Sequence, residues 1–159
     1  MKPEPRRFSI DIRATPAEVW QQLTQTEVRQ AFYFNSRLVS DLRPGSPIRY
    51  ESDNGKTVFI VGRIVSVDPP RRLVHTFRFS DLDDDETTVT IEVIPTDSGV
   101  RVDIAHDGLE HAPRTAKRVQ RGWPHILGNL QTYVRTGRLP FRSRVAYGVM
   151  GFLQPLMPS

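Results

Sequence analysis

Residues 72–107 alternate apolar and polar side chains through three successive segments, and no other pattern constrains the fold as strongly. Neighbouring side chains of a strand point to opposite faces, so each segment predicts a strand with one apolar face. The runs DLDDDE (81–86) and DSG (97–99) separate the segments as turns do. The chain therefore predicts an antiparallel sheet with one apolar face, whose inward residues are Leu73, His75, Phe77, Phe79, Val89, Ile91, Val93, Val100, Val102, Ile104 and His106.

The part of the chain before residue 72 adds strands and one clear helix. Residues 7–13 alternate in the same way, and strands are predicted within 32–42, 48–52 and 56–68 around the turn signals RPGSP and DNG. The stretch TPAEVWQQLT (15–24) begins with a Thr-x-x-Glu capping box and a Pro at the first helical position. A short second helical piece is expected over residues 27–32.

A sheet with one apolar face must be covered, and only residues 112–136 form a helix long enough to do so. Its apolar residues recur at spacings of three and four, at Ala116, Val119, Trp123, Ile126, Leu127, Leu130 and Val134. The predicted fold class is α+β: a curved antiparallel sheet of about six to seven strands wrapped around a long C-terminal helix, a helix-grip arrangement. Gly137 is expected to end the helix.

Two features of the C-terminal helix carry further expectations. Pro124 lacks an N–H and clashes with the preceding turn, so the helix should kink or restart near Gly122 and Trp123. The opposite face is predicted to be solvated, because it carries Arg114, Lys117, Arg118 and Arg121.

Trp123 should project into the space between the helix and the sheet, where its indole N–H needs a partner. It is either a plug of the core or a wall of a cavity. His75 and His106 fall on the apolar register, so each is either a hydrogen-bonded structural residue or a polar contact in a mostly apolar cavity. The candidate ligand-binding residues are His75, Phe77, Val89, Ile91, Val102, Ile104, His106, Trp123 and Leu127.

Four stretches in order resemble one superfamily: ATPAEVWQQLT, GRIVSVDPPRRLVHTF, HDGL and GWPHILGNLQTYVRTG. With the element order, they resemble the SRPBCC (START-like, birch-pollen-allergen-like) superfamily, and within it the branch of activator of heat-shock-chaperone ATPase homologues. The resemblance covers about residues 6–139. It implies a helix-grip fold with a central cavity but no single activity, because this fold hosts binding proteins, hydrolases, cyclases and cochaperones.

We therefore expect one domain over residues 1–139 that binds an apolar or amphipathic small molecule between the sheet and the C-terminal helix. Two alternatives stay open: a cochaperone-like interaction domain with a chaperone partner, and a hydrolase or cyclase using cavity histidines. A cavity below about a few hundred Å³ would favour the interaction domain. Two buried acid/base groups within hydrogen-bond reach would favour the enzyme.

Other functional classes have less support. The chain has no Cys and no Gly-x-Ser-x-Gly motif, and Glu92 and Asp103 lie on the polar register of their strands, so no catalytic residue is assigned. No metal and no cofactor are expected, because the spacing of the His and acidic residues in 106–125 matches no standard site. The acidic run 81–86 lacks the pattern of a calcium loop and is predicted to be a solvated turn. A net charge of +4 is too small to predict nucleic-acid binding, and a cysteine-free chain without an apolar leader fits the cytoplasm.

Residues 140–159 are predicted to be a separate basic and apolar C-terminal extension. Their large apolar side chains would expose a patch in water, so we expect them to dock on the same chain or to form a homodimer contact. Contact with a membrane surface ranks behind both, because Pro140, Pro155 and Pro158 interrupt any long interfacial helix.

Overall fold

A computed structural model of the protein describes residues 3–137, so the predicted extension 140–159 lies outside the described residues. Its eight antiparallel strands form one sheet in the order β1-β8-β7-β6-β5-β4-β3-β2. The strands are β1 Arg6–Ile12, β2 Arg29–Gln30, β3 Ser36–Ser40, β4 Pro47–Glu51, β5 Val58–Asp68, β6 Arg72–Phe79, β7 Thr87–Thr96 and β8 Gly99–Asp107. The helices are α1 Pro16–Thr24 and α2 Pro113–Thr136, and a 3-10 turn, Leu109–His111, precedes α2.

The predicted α+β helix-grip fold is confirmed, with more strands than expected. The additional strand, β2, lies where a short helix was predicted over residues 27–32, and that prediction is wrong. Glu27 has a positive φ of 59°, and Gln30 pairs with Ser36 of β3. The buried amide of Gln30 donates to the carbonyls of Gln22 and Gln25, at 3.3 and 3.2 Å. These carbonyls belong to the end of α1, where no further helical turn supplies N–H groups, so Gln30 completes the first helix instead of starting a second.

The capping box predicted at the start of α1 is present. The Thr15 hydroxyl accepts the Glu18 N–H at 3.1 Å, and the Glu18 carboxylate accepts the Thr15 N–H at 3.1 Å. Val19 and Leu23 are buried, whereas Trp20 is only partly buried against the core. The local sequence therefore fixes where α1 begins and which face it buries.

Helix α2 is continuous from Pro113 to Thr136, so it does not restart at Pro124. Five of the seven predicted stripe residues are buried, and Ala116 and Val134 are half-buried against the same core. Gly137 ends the helix with a positive φ of 73°, and its N–H donates to the carbonyl of Tyr133. The predicted helix boundaries and buried stripe are therefore those of the structure.

The acidic loop, residues 80–86 between β6 and β7, is solvated as predicted at Asp81, Asp83, Asp85 and Glu86, but two of its carboxylates also bind α2. The Asp84 carboxylate accepts the backbone N–H of Thr115 at 2.7 Å and its hydroxyl at 2.9 Å. Asp81 forms a two-pronged ion pair with Arg118, at 2.9 and 3.1 Å. Ala112, at the start of α2, provides no side-chain cap, so Asp84 supplies from a distant loop the acceptor that the first turn needs. The loop thereby fixes the N-terminal end of α2.

Gly62 marks a close approach between two strands. A Cβ placed on Gly62 would lie 1.9 Å from the carbonyl oxygen of Thr76, on the neighbouring strand β6. The pairing of β5 and β6 is irregular just beyond this point, between Ile64 and Ser66. A side chain at position 62 therefore requires the two backbones to separate.

We expect Gly62→Ala to lower the free energy of unfolding by about 2 kcal/mol or more, because a methyl group would overlap a backbone atom that cannot rotate away. Gly128→Ala is the matched control, since nothing lies within 4 Å of a Cβ at that position in α2. The control should be neutral or up to about 1 kcal/mol more stable, as Ala favours a helix over Gly. Urea denaturation measures both, and equal stabilities would contradict the close approach at Gly62.

Candidate functional site

A cavity of about 950 Å³ lies between the sheet and the first half of α2. Its walls are largely apolar and aromatic, and its lining residues are Tyr33, Phe34, Ser36, Tyr50, Phe59, Ile60, Phe77, Phe79, Leu82, Arg114, Lys117, Arg118, Val119, Arg121, Gly122, Trp123, His125 and Ile126. This volume lies within the range of small-molecule sites, which is about 300–1,000 Å³. The cavity is therefore large enough to hold a ligand.

The strands that line the cavity are β3, β4, β5 and β6, whereas β1, β7 and β8 contribute no lining residue. Helix α2 packs instead against β1, at the other end of the sheet order. Helix α2 thus packs closely on β1 and α1 packs on β7, whereas the space remains over the β3–β6 side.

Aromatic rings form the wall of the cavity nearest the sheet. Tyr33 and Tyr50 are buried and stack with their ring centroids 4.3 Å apart, and Trp123 meets Tyr33 edge-on at 6.1 Å. Burial raises the pKa of both tyrosines, so their hydroxyls stay protonated at neutral pH. This wall offers ring faces and neutral hydroxyl groups.

A strained turn brings another aromatic residue to the cavity. Phe34 and Asn35 have positive φ values of 55° and 56°, unusual for residues other than glycine. Phe34 stacks on His125 of α2 with ring centroids 5.0 Å apart. The turn 31–35 thus joins helix and sheet at the cavity.

Of the nine predicted ligand-binding residues, Phe77 and Trp123 line the cavity. The other seven are buried in the core and are not part of the lining: His75, Val89, Ile91, Val102, Ile104, His106 and Leu127. All nine residues therefore lie in one buried core. Two of them form part of the cavity wall, and the other seven are buried behind that wall. The ligand-binding role of all nine stays a prediction.

Trp123 and His106 form a buried chain of hydrogen bonds. The Trp123 indole donates to Nδ1 of His106 at 3.0 Å, and Nε2 of His106 lies 2.7 Å from the Thr87 hydroxyl. That hydroxyl donates to the carbonyl of Phe77 at 3.0 Å. Since Nδ1 accepts from the indole, a neutral imidazole carries its proton on Nε2 and donates to Thr87. The chain leaves no ring nitrogen of His106 free for proton transfer.

His75 keeps one buried ring nitrogen without a partner. Its Nδ1 lies 2.6 Å from the carbonyl of Thr76 and donates to it, whereas its Nε2 is buried and has no hydrogen bond among the described residues. Burial lowers the pKa of His75 to about 4. Burial, together with the neighbouring His75 and Arg6, lowers the pKa of His106 to about 3. Both imidazoles are therefore neutral at neutral pH.

The carboxylates considered as partners for these histidines lie elsewhere. Asp103 is ion-paired with Arg101 at 3.1 Å, and both it and Glu92 are half-exposed on the polar register. Within residues 3–137, no three His, Asp or Glu side chains are close enough to hold a metal ion.

The four cations of α2 that were predicted to form a solvated face also line the cavity. Arg114, Lys117 and Arg121 are exposed, Arg118 is half-buried, and all four are lining residues. Here the acidic loop and the turn 31–35 extend the wall towards that face. The signal that sequence reasoning missed is the spacing of three and four between these cations, beside a stripe interrupted by Gly122.

This geometry defines a class of protein: a curved antiparallel sheet around one long C-terminal helix, with a cavity between them. A family model described as "Activator of Hsp90 ATPase homolog 1-like protein" matches residues 13–135. The chain therefore belongs to that family, as its resemblance predicted.

Solved structures share this fold at low sequence identity. Protein MLL2253 from Mesorhizobium loti has a TM-score of 0.69 and 20% identity, over 84% of this chain and 98% of that chain. PFC0360w from Plasmodium falciparum, described as an HSP90 activator, has a TM-score of 0.64 and 19% identity, over 87% and 99%. CalU16 from Micromonospora echinospora has a TM-score of 0.63 and 19% identity, over 90% and 81%. At these identities the likeness shows the fold alone, and no curated protein sequence matches the chain significantly.

The first prediction for the site concerns the buried hydrogen-bond chain. Thr87→Val keeps the shape of the side chain but leaves the His106 Nε2–H without its acceptor, which should lower the free energy of unfolding by about 1–3 kcal/mol. Thr88→Val is the matched control, since Thr88 is half-exposed on the other face of β7 and should change stability by less than about 0.5 kcal/mol. Urea denaturation compares the two variants, and equal losses would show that the Thr87 hydroxyl has no special role.

The second prediction is a loss of stability in mild acid. In the unfolded chain His75 and His106 titrate near the ordinary pKa of about 6.5, whereas in the folded protein their pKa values are about 4 and about 3. At pH values between the folded and the unfolded pKa, each histidine binds more protons in the unfolded state than in the folded state. The contribution of neutral burial is therefore complete above pH 6.5 and falls as the pH drops, by up to about 1.4 kcal/mol per pH unit for each histidine.

Denaturation at pH 7.5, 6.5 and 5.5 measures this slope above the range where carboxyl groups titrate. His75→Gln removes one of the two titrating groups, so it should reduce the slope of the free energy of unfolding against pH by the contribution of one histidine. A stability that does not change with pH in this range would contradict the neutral burial of the two histidines.

Proposed function

We propose that the protein binds an amphipathic small molecule with its apolar part in the cavity between β3–β6 and α2. The cavity volume carries this proposal, because about 950 Å³ of largely apolar space remains beside an otherwise filled core. A domain that works only through its outer surface gains nothing from such a space, since apolar walls that are left uncovered forgo the stability that their burial would contribute. The residues proposed to contact the ligand are Tyr33, Tyr50, Phe59, Phe77, Val119, Trp123 and Ile126.

The predicted cavity histidines, His75 and His106, do not support hydrolysis or cyclisation as the function. His106 uses both ring nitrogens within the protein, and the free nitrogen of His75 belongs to a residue outside the lining. A third histidine, His125, does line the cavity, but its ring stacks on Phe34 and its Nε2 lies 3.1 Å from the Asn129 amide. A general base must reach the substrate proton directly or through one water molecule. Binding without chemistry is therefore the function that the site favours.

Interaction with an Hsp90-type chaperone is the second candidate, and membership of the family supports it. This role would place the working residues on the surface and leave the cavity as a feature of the fold. Measuring the ATPase rate of such a chaperone with and without the protein tests it independently of ligand binding. The predicted homodimer contact through residues 140–159 and the cytoplasmic location stay proposals; no helix within residues 3–137 is long and apolar enough to cross a bilayer.

Filling the cavity tests the main proposal. Gly122 lines the cavity, and a Cβ there would meet no atom within 4 Å, so Gly122→Leu adds a side chain to the ligand's space without a backbone clash. We expect it to weaken binding of the neutral apolar dye N-phenyl-1-naphthylamine about tenfold or more. A fluorescence titration measures the affinity.

Gly128→Leu is the matched control, because Gly128 lies in the same helix with the same free space but outside the lining. It should bind the dye as the original protein does. If both variants bind the dye equally well, the dye does not occupy the cavity and the proposal is wrong.

A further inference from the structure

The mouth of the cavity has a strongly one-sided charge. Among residues 3–137, its lining includes four cations of α2, Arg114, Lys117, Arg118 and Arg121, and no Asp or Glu side chain. They occur at intervals of three and four residues, so they form one row along the helix. A purely apolar ligand would not need such a row beside its binding space.

One of these cations has an ion-pair partner, and a second lies near a carboxylate. Arg118 pairs with Asp81 and lies 4.4 Å above the centre of the Phe79 ring. The Thr115 N–H lowers the pKa of the Asp84 carboxyl group most, and the backbone N–H and the charge of Arg114 lower it further. Arg118 thus holds the acidic loop on α2 and Arg114 lies beside it, so we assign both to the structure of the mouth.

The remaining two cations are available to a ligand. Lys117 and Arg121 are exposed, and neither forms an ion pair with a carboxylate of residues 3–137. They lie four residues apart and therefore point from the same side of the helix. A guanidinium and an ammonium group at this spacing supply several N–H donors to one anionic group.

We propose that the ligand is an anionic amphiphile, with its apolar chain in the cavity and its carboxylate or phosphate head between Lys117 and Arg121. This inference rests on the proposed function and adds the chemical class of the ligand. The C-terminal extension is a poor occupant by charge, because it carries Arg142 and Arg144 and no acidic residue. Its charge has the same sign as the row on α2, so an anion from outside the chain is the complementary partner.

Probes with one chain length and different heads test the inference: dodecanoate, dodecyl phosphate, dodecan-1-ol and dodecyltrimethylammonium. Each is titrated below its micelle concentration to displace N-phenyl-1-naphthylamine from the full chain. We expect the two anions to bind about tenfold or more tighter than the alcohol, and the cation to bind weakest. Added salt should weaken the anions and leave the alcohol unchanged.

The variant Lys117→Gln/Arg121→Gln should bring the anions to the affinity of the alcohol. The matched control is Lys56→Gln/Arg135→Gln, which removes the same charges from two exposed residues outside the cavity lining and should keep the preference for anions. Tighter binding of one anion than of the other identifies the preferred head group, carboxylate or phosphate, and supports the inference.

Three outcomes overturn the inference, and only the last also overturns the proposed function. Equal affinity for the alcohol and the anions would show that the cavity binds a chain without recognising a charge, so the proposed function would stand and this inference would fail. If the control lowers anion binding as much as the Lys117 and Arg121 variant does, the effect belongs to the net charge and the local site is wrong. If none of the probes binds, the proposed function itself fails.

Discussion

The position of α2 depends on the hydrogen bond from the Trp123 indole to His106. This bond begins a buried chain that continues through Thr87 to the carbonyl of Phe77, and so links the helix to β8, β7 and β6. Apolar contacts alone would allow a helix to slide or rotate on a sheet, because they have little directionality. A buried donor without an acceptor is costly, so the indole fixes the helix in one rotation. With that rotation fixed, Val119 and Ile126 face the cavity and Leu127 and Leu130 fill the core.

The acidic loop is a second and different constraint on the same helix. Asp84 satisfies the first turn of α2, and Asp81 holds Arg118 one turn later. One anchor is neutral and buried near the middle of the helix, whereas the other is ionic and near its start. Between them the helix bridges the β3–β6 side of the sheet without packing fully onto it. The residues of α2 that line the cavity, from Arg114 to Ile126, therefore span both anchors.

Sequence reasoning predicted the parts of this fold that depend on local periodicity. The apolar register of β6, β7 and β8, the capping box at Thr15 and the stripe of α2 were all read from neighbouring residues. The errors lie where distant residues decide. Gln30 lies in a strand because it pairs with Ser36 of β3, and its amide binds carbonyls at the end of α1. The half-exposed Asp84 accepts hydrogen bonds from Thr115, which lies far along the chain at the uncapped start of α2.

The candidate site shows the same limit. Alternation identifies the face of a strand that points inward, and all nine predicted residues are indeed buried. Alternation does not show which half of the sheet the helix covers. The predicted binding residues of the sheet therefore lie on β6–β8, whereas the cavity lies over β3–β6. Trp123 and Phe77 line the cavity because they lie where the two halves meet. The row of cations was visible in the sequence, but its place beside the cavity depends on the acidic loop and the turn 31–35.

The strand order also has a consequence for how the chain folds during synthesis. The first strand pairs with the last, since Phe8 lies opposite Ile104 and Ile12 opposite Val100, and α2 follows only after β8. Strands β2 to β7 can pair one after another as they leave the ribosome, but β1 has no partner until nearly the whole domain is made. Loops this long make folding slow, and a waiting strand is a site for wrong pairing. The polar face of β1 carries the charged residues Arg7 and Asp11. These charges disfavour pairing of β1 with a strand of another chain before β8 is made.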